Sequence, residues 1–290
     1  MLLVQEPFVS TLSILIPTWN NLLYLRLCID EIRRTSIADH QIIVHVNEGT
    51  DGTCEWLDQE DIAYTRTPEN VGVCTAMNQA RTLATGDLLL YMNDDMVPCP
   101  GWDKALLDAA NAQPDGLFYL SATMIEPVAT GNICVRAPHD YGRDSDTFDR
   151  ARLHSAAPGM VGPDWNGSTW PPSLMTAKMW DTIGGFSEEF SPGLYSDPDI
   201  SRKLWEAGVR NFRGVGNSLV YHFMSKSLKR VKLNPGKRQF LKKWGMSSST
   251  FLNHYLQLGQ KYTGPLSDPV QTSGLFAARL KDRIKGWLSW

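Results

Sequence analysis

The chain has 290 residues, of which 42% are hydrophobic and 20% charged, a balance typical of a soluble globular protein rather than a disordered one. Its apolar runs are too short to cross a membrane, and its first residues lack the basic start of a signal peptide. The net charge of −3 is uneven, because residues 226–290 carry 13 Lys and Arg against two acids, whereas residues 1–225 carry 15 against 29. This division predicts an acidic body, residues 1–225, and a basic helical extension, residues 226–290.

Alternating strand and helix patterns fill the first hundred residues. Short apolar runs at residues 12–16, 42–46, 62–65 and 87–92 predict four strands. Between them, one helix is predicted after Asn20 and Asn21, either of which can cap it, and another over residues 73–83. Strands that alternate with helices predict an α/β fold with a parallel sheet, whose ligands bind at the carboxyl ends of the strands.

The second half of the body has a less regular pattern. Residues 116–172 are predicted to be irregular apart from a strand over residues 117–124. Helices are predicted over residues 178–183 and 199–207, and a last strand over residues 219–222.

The five cysteines show no Cys-x-x-Cys or Cys/His spacing of a metal site: Cys28, Cys54, Cys74, Cys99 and Cys134. Several interrupt apolar segments, which favours buried free thiols. Such usage suits a reducing compartment, so we expect a cytosolic protein, or one attached to a membrane from the cytosolic side.

Acidic side chains follow the fourth predicted strand, at Asp94 and Asp95. Adjacent carboxylates repel each other unless a cation or strong hydrogen-bond donors compensate them. Carboxylate oxygens suit Mg²⁺ or Mn²⁺, which bind through one or two carboxylates together with substrate phosphates. The alternative is an acidic turn in contact with solvent.

A second acidic pair, Asp197 and Asp199, precedes a predicted helix, and His222 ends the last predicted strand. An acid at a helix start can cap the helix, and it can also accept a proton as a general base. A single histidine is more often packed or hydrogen-bonded than bound to a ligand. Taken together, however, the two acidic clusters and the histidine fit one site for a metal and a diphosphate.

Over most of residues 11–223 the sequence resembles the family 2 glycosyltransferases of the GT-A fold. Six motifs carry the resemblance, in the order of that family: residues 13–20, 46–53, 69–80, 85–95, 183–186 with 197–199, and 221–222. The resemblance implies a Rossmann-like, mostly parallel sheet flanked by helices in residues 1–225, followed by the helical extension.

The resemblance also implies a role for individual residues. Asp95 would be the main metal ligand, Asp197 the general base, and His222 a contact of the metal or of the leaving diphosphate. Pro17, Thr18 and Asn20 would line the nucleotide pocket, and Glu48 would contact the nucleotide base. Asn70 and Asn78 would support the nucleotide side, and Asp94 would lie near the ribose or in the outer shell of the metal. Two departures from the family pattern matter. Asn93 replaces the first acid of the metal motif, and Asn47-Glu48 replaces two aspartates. The second departure leaves the identity of the nucleotide base undetermined.

The implied reaction moves a sugar, with inversion, from a nucleoside-diphosphate sugar to the hydroxyl of a glycan or lipid-linked glycan, with Mn²⁺ or Mg²⁺ bound. We expect a UDP-sugar as the donor. The alternatives are an inactive nucleotide- or carbohydrate-binding protein on the same fold and a sugar nucleotidyltransferase. A dinucleotide-dependent oxidoreductase is disfavoured, because Pro17-Thr18 replaces the glycine-rich turn. A nucleic-acid partner is also disfavoured, because the acidic body would repel phosphates.

Aromatic residues lie in two further segments. Trp165, Trp170 and Trp180 flank an irregular stretch and could either form a wall for a sugar acceptor or pack in the core. Residues 275–290 place apolar side chains at helical spacing among basic ones, with Trp near the end. That pattern predicts peripheral membrane contact, with packing on the catalytic domain or on a dimer partner as the alternative.

Overall fold

The computed structural model describes residues 11–224 and 234–288, so predictions that fall on residues 1–10, 225–233 and 289–290 lie outside the described residues. The strands are β1 (Leu12–Trp19), β2 (Gln41–Asn47), β3 (Ala63–Thr67), β4 (Leu88–Tyr91), β5 (Met96–Pro98), β6 (Phe118–Ile125), β7 (Trp165–Asn166), β8 (Ser173–Thr176) and β9 (Asn211–His222). The helices are α1 (Leu22–Thr35), α2 (Thr53–Gln59), α3 (Gly72–Arg81), α4 (Trp102–Asn111), α5 (Arg150–Ala156), α6 (Ala177–Ile183), α7 (Ser196–Glu206), α8 (Gly236–Trp244), α9 (Ser248–Thr250) and α10 (Ser273–Leu288).

One sheet holds the described strands, in the order β3-β2-β1-β4-β8-β6-β9-β5, with β7 beside β9. The pairs β1–β2, β1–β4, β2–β3 and β6–β9 are parallel, whereas β8 runs antiparallel to both β4 and β6, and β5 runs antiparallel to β9. Consequently β1, β2, β4, β6 and β9 all end at the same edge. The predicted α/β fold with a mostly parallel sheet is confirmed.

Helices cover both faces of the sheet because the strands alternate their apolar side chains. In β1, Ile14 and Ile16 join a core with α1 and α4, whereas Leu15, between them, joins a second core with α3 and α7. The period of two residues is that of a strand buried on both faces.

The extension beyond residue 234 packs on the second of these cores. Phe240 of α8, Phe251, Tyr255 and Leu275 of α10 are buried in the same cluster as Trp205 of α7. Within the described part of the chain, every helix falls short of the length and apolarity needed to span a bilayer. The division at residue 225 remains a prediction.

Some local predictions are wrong. The side chains of Asn20 and Asn21 do not cap α1; instead Leu22 N donates to Asp51 Oδ2 over 2.9 Å. Asp197 and Asp199 do not cap α7 either, because they lie inside its first turn, after Tyr195. Helix α5 lies within residues 116–172, where only a strand was predicted.

Candidate active site

A cavity of about 530 Å³ opens at the edge where the parallel strands end. Such an edge is where open α/β sheets bind ligands. Seven of the ten predicted site residues line this cavity: Pro17, Thr18, Asn70, Asp94, Asp95, Asp197 and His222. Asn20, Glu48 and Asn78 do not line it.

The end of β1 contacts the acidic segment after β4, because the two strands are parallel neighbours. Thr18 Oγ1 donates a hydrogen bond to Asp94 Oδ2 over 2.7 Å. Asn47, buried at the end of β2, donates to the Thr18 carbonyl through Nδ2 and accepts from Val71 N through Oδ1. Asn47 thus joins the ends of β1 and β2 to the loop that carries Asn70. In the sequence, Asn47 stands out only as a departure from the family pattern, which does not predict this role.

Asn20 and Glu48 pair with each other. Asn20 Nδ2 donates to Glu48 Oε2 over 3.0 Å, and Asn20 Oδ1 accepts from Thr50 N over 2.8 Å. Both residues have positive φ, 47° and 64°, an uncommon conformation for residues other than glycine. The turns after β1 and β2 are therefore locked together outside the cavity lining.

Sheet register brings Asp95, His222 and Glu126 together. Asp95 directly precedes β5, where Met96 is paired with His222, and Glu126 directly follows Ile125, which is paired with Tyr221. His222 Nε2 lies 3.5 Å from Asp95 Oδ2, and Nδ1 lies 3.0 Å from Glu126 Oε1. Glu126 was not identified from the sequence, because it is a single acid in a segment predicted to be irregular.

The two carboxylates decide the charge of the histidine. Burial alone lowers the pKa of His222, but the charges and hydrogen bonds of Asp95 and Glu126 outweigh burial and raise the pKa to about 10. The imidazole is therefore protonated at neutral pH beside Asp95 and Glu126. A cation bound at this position would replace that proton.

The donor set fits a divalent metal that completes its coordination with substrate oxygens. Among residues 11–224 and 234–288, no group of three or more His, Cys, Asp or Glu side chains forms a metal site by itself. Mg²⁺ and Mn²⁺ commonly use one or two protein ligands together with phosphates and waters. Asp95 and His222 can supply the protein ligands, with Glu126 orienting the imidazole through Nδ1, as outer carboxylates do at metal sites.

Asp197 lines the cavity from the first turn of α7. Burial raises the pKa of its carboxyl to about 7. A carboxylate with that pKa can accept a proton at neutral pH and release it again.

The loop before α7 touches the start of α3. Gly72 has φ +75°, and a Cβ there would lie 2.5 Å from Pro192 Cα. Val73 N also donates to the Pro192 carbonyl over 3.1 Å. The glycine of the Asn70-Val71-Gly72 motif is therefore required for this close backbone contact. Asn78, farther along α3, binds the N–H and the carbonyl of Phe186, both at 2.9 Å, and so fixes the turn at Phe186 rather than the cavity wall.

Helix α8 supports the same loop from the other side. Asn234 Nδ2 donates to the carbonyls of Phe190 and Leu194. At the end of α8, Trp244 Nε1 donates to the buried Asp199, and Lys243 Nζ lies 3.0 Å from that carboxylate. The extension thus positions the helix that carries Asp197.

Of the three tryptophans predicted either to form a wall for a sugar acceptor or to pack in the core, two are buried and one borders the cavity. Trp165 and Trp180 are buried, at 5% and 4% exposure, whereas Trp170 lines the cavity.

The expected burial of the five cysteines, all free, is confirmed.

Comparison with known proteins agrees with the fold. Residues 13–142 match the family described as Glycosyl transferase family 2. The uncharacterized protein y4gI of Sinorhizobium fredii is 24% identical over 229 residues, an alignment that covers 72% of this chain but 24% of that protein. The chain thus spans about a quarter of the curated relative that it matches.

Two solved structures share the architecture. TarS of S. aureus, residues 1–349 in complex with UDP-GlcNAc, is similar with a TM-score of 0.54 and 13% identity, over 78% of this chain and 62% of that one. GalNAc-T7 with UDP, GalNAc and Mn²⁺ is similar with a TM-score of 0.59 and 13% identity, over 84% of this chain and 50% of that one. Residues 13–142 are therefore similar to glycosyl transferase family 2, and the fold of the chain is that of the GT-A glycosyltransferases.

Proposed function

We propose that the protein is an inverting glycosyltransferase that moves a sugar from a nucleoside-diphosphate donor to an acceptor hydroxyl. The observation that carries this proposal is that Asp95, His222 and Asp197 line one cavity at the carboxyl edge of the sheet. That cavity also contacts Pro17, Thr18 and Asn70, the nucleotide side suggested by the family resemblance. The UDP-GlcNAc bound to TarS and the UDP and Mn²⁺ bound to GalNAc-T7 support a UDP-sugar donor and Mn²⁺ or Mg²⁺ here.

In this proposal the chain's own groups perform three tasks. Thr18 and Asp94, hydrogen-bonded to each other, hold the nucleotide near the end of β1. Asp95 and His222 would hold the metal, which would supply Lewis-acid stabilisation of the negative charge on the departing diphosphate. Asn20 and Glu48 lock the turn beside the nucleotide base. Asn70 lines the α3 side of the pocket, and Asn78 supports that side indirectly by anchoring the turn at Phe186.

Asp197 completes the reaction by taking a proton. The acceptor oxygen bonds to the anomeric carbon of the sugar, the bond from that carbon to the diphosphate breaks, and the acceptor proton passes to the Asp197 carboxylate. A positioned base contributes about 10²–10⁴-fold to such a rate. The single displacement inverts the configuration at the anomeric carbon.

We also propose that the acceptor is a glycan or lipid-linked glycan reached from the cytosolic side of a membrane. Four large apolar side chains on one face of α10 are exposed, at 61%, 48%, 53% and 85%: Phe276, Leu280, Ile284 and Trp287. The opposite face is anchored, since Leu275 is buried and Asp282 accepts hydrogen bonds from Ser247 N and Thr250 Oγ1. Packing of the apolar stripe on the described catalytic domain is thereby excluded.

Charge identifies the surface that this stripe would meet. Arg279 and Arg283 lie beside the stripe, with Lys281 and Lys285 farther around the helix, so the exposed apolar face is bordered by cations. An apolar face with flanking Lys and Arg and a terminal Trp suits the interface of an anionic bilayer.

Product analysis tests the transferase proposal. The protein is incubated with UDP-, GDP- and dTDP-sugars and Mn²⁺, and the released phosphate species is identified. Free nucleoside diphosphate supports glycosyl transfer or donor hydrolysis. In a parallel incubation with nucleoside triphosphates and sugar 1-phosphates, release of inorganic diphosphate would indicate a nucleotidyltransferase. Binding of a donor without any product would favour the inactive binding protein. Asp95→Ala should lose metal-dependent donor binding, whereas Asp108→Asn, an exposed acid on α4, should not.

A further inference from the structure

Trp170 occupies a fixed position at the cavity. Ser121 Oγ donates to the Trp170 carbonyl over 3.1 Å. The ring is stacked on Trp165, with centroids 5.6 Å apart and planes 25° from parallel. Trp165 is itself held, because its Nε1 donates to the buried Thr123 Oγ1 over 3.0 Å. Trp170 is therefore a pre-positioned aromatic side chain that borders an open space.

The indole N–H of Trp170 lacks an acceptor within residues 11–224 and 234–288, although the nitrogen is buried. A buried donor without an acceptor is unfavourable, and tryptophan usually finds a partner when it is buried. Because Trp170 lines the cavity, a bound ligand can supply that acceptor.

The position of Trp170 in the fold indicates which part of a ligand it would meet. Trp170 precedes β8, which lies on the opposite side of β4 from β1 and β2. The predicted nucleotide residues lie at the ends of β1 and β2, and Asp95 follows β4 between the two sides. Trp170 therefore lies toward the side of the sheet away from β1 and β2, as does Met124 of β6, which also lines the cavity.

We propose that Trp170 is a sugar-recognition residue, with its ring against the apolar face of a pyranose and its N–H donating to a sugar oxygen. This inference rests on the proposed function. Such a contact combines an apolar surface with one directed hydrogen bond, the combination by which pockets orient polar ligands. The sugar is either the transferred sugar of the donor or a sugar of the acceptor.

Two variants test the proposal. Trp170→Ala removes both ring and N–H, whereas Trp170→Phe keeps a ring on Trp165 and removes only the N–H. Val270→Ala, at an exposed apolar residue outside both the cavity and the apolar stripe of α10, is the control. Thermal melting and circular dichroism establish that each variant is folded before binding is compared.

Two binding measurements distinguish the sources of the sugar. Calorimetry with Mn²⁺ compares UDP-glucose, UDP-galactose, UDP-N-acetylglucosamine and GDP-mannose with their bare nucleoside diphosphates. If Trp170 holds the donor sugar, Trp170→Ala lowers the affinity for the sugar nucleotide by about tenfold or more and leaves the affinity for the bare nucleoside diphosphate unchanged. If it holds the acceptor sugar, those affinities stay constant, and saturation-transfer NMR shows weaker binding of methyl glucoside, galactoside or N-acetylglucosaminide in the presence of UDP. The sugar affinity of Trp170→Phe should lie between those of Trp170→Ala and wild type.

The proposal is overturned if a folded Trp170→Ala protein matches wild type in both measurements, or if the bare diphosphate loses affinity equally. If wild type binds none of the sugar nucleotides, the proposed function itself fails, which is a different result from an unaltered variant of a protein that binds them.

Discussion

Trp244 Nε1 donates a hydrogen bond over 2.7 Å to Asp199 Oδ1, a carboxylate that is 1% exposed. Because Asp199 lies two residues after Asp197, this bond ties the extension to the turn of α7 that holds the proposed general base. Trp244→Phe should lower the free energy of unfolding by about 1.5–3 kcal/mol, since a buried charge loses a donor. It should also lower kcat by about tenfold or more, because small displacements of a base are costly. The affinity for UDP with Mn²⁺ should remain unchanged. Urea unfolding and steady-state kinetics measure these effects, with Trp287→Phe as the exposed control; equal losses of kcat and nucleotide affinity would contradict a role confined to the base.

Glu126→Gln should weaken Mn²⁺ binding by about 10–100-fold, because the imidazole of His222 loses the carboxylate that orients it. Glu126 also favours the protonated imidazole, which cannot bind a metal, so the loss should be larger at pH 8.5 than at pH 7. Paramagnetic resonance of free Mn²⁺ in the presence of UDP measures the affinity. Glu55→Gln, an exposed acid on α2, is the control. Unchanged affinity at both pH values would remove Glu126 from the site.

Asp197 should impose a pH dependence on activity. Since burial raises the pKa of its carboxyl to about 7, kcat/KM should fall about tenfold per pH unit below that value. Asp197→Asn should retain donor binding and lose about 10²–10⁴-fold in transfer. An activity profile that is flat from pH 5.5 to 8, or full activity of the variant, would contradict the assignment.

The same carboxyl should also affect stability. Its pKa is higher in the folded protein, about 7, than the ordinary 3.8, so protonation favours the folded state. The contribution is fully present below about pH 4 and is lost as the pH rises through 7. Without metal, Asp197→Asn should therefore be more stable than wild type at pH 8, by on the order of a few kcal/mol, and equally stable near pH 4. Denaturant unfolding in EDTA checks the difference, with Asp108→Asn as the control.

Replacement of Phe276, Leu280, Ile284 and Trp287 by Gln should abolish sedimentation with anionic vesicles while leaving the affinity for UDP with Mn²⁺ unchanged. The reason is that these side chains are exposed, whereas Leu275 and Asp282 hold α10 on the protein. Vesicles of neutral lipid, or high salt, should reduce the sedimentation of wild type, because attraction by Lys and Arg is screened. If wild type does not sediment with anionic vesicles, or the variant sediments equally, the membrane proposal is wrong.

Much of the parallel half of the sheet could be predicted, because β1, β2 and β4 are short apolar runs ended by polar turn residues. The last strand was predicted over only four residues, whereas β9 begins at Asn211. Gly214 and Gly216 interrupt its pattern, and Gly214 is needed because the Trp165 ring occupies the space of its side chain. A pattern confined to one segment cannot show a requirement set by a residue about fifty positions away.

The acidic residues of the candidate site were predictable from their places at strand ends, but their partners were not. Glu126 meets His222 only because β6 and β9, after a register shift between Ala122 and Thr123, pair Ile125 with Tyr221. Likewise, Trp165, Trp170 and Trp180 are chemically identical, and only their packing shows that Trp170 borders the cavity.

The contact between Gly72 and Pro192 has a consequence for how the two reactants are held. Gly72 begins helix α3, next to the loop that carries Asn70. Pro192 leads to α7, whose first turn holds Asp197, the residue proposed to take the proton. With 2.5 Å between Pro192 Cα and the position a Cβ would occupy, the two halves of the cleft meet without any intervening side chain. If the proposed function holds, the distance between nucleotide and acceptor hydroxyl would depend on these main-chain atoms, and a methyl group added at residue 72 would force the start of α3 away from Pro192.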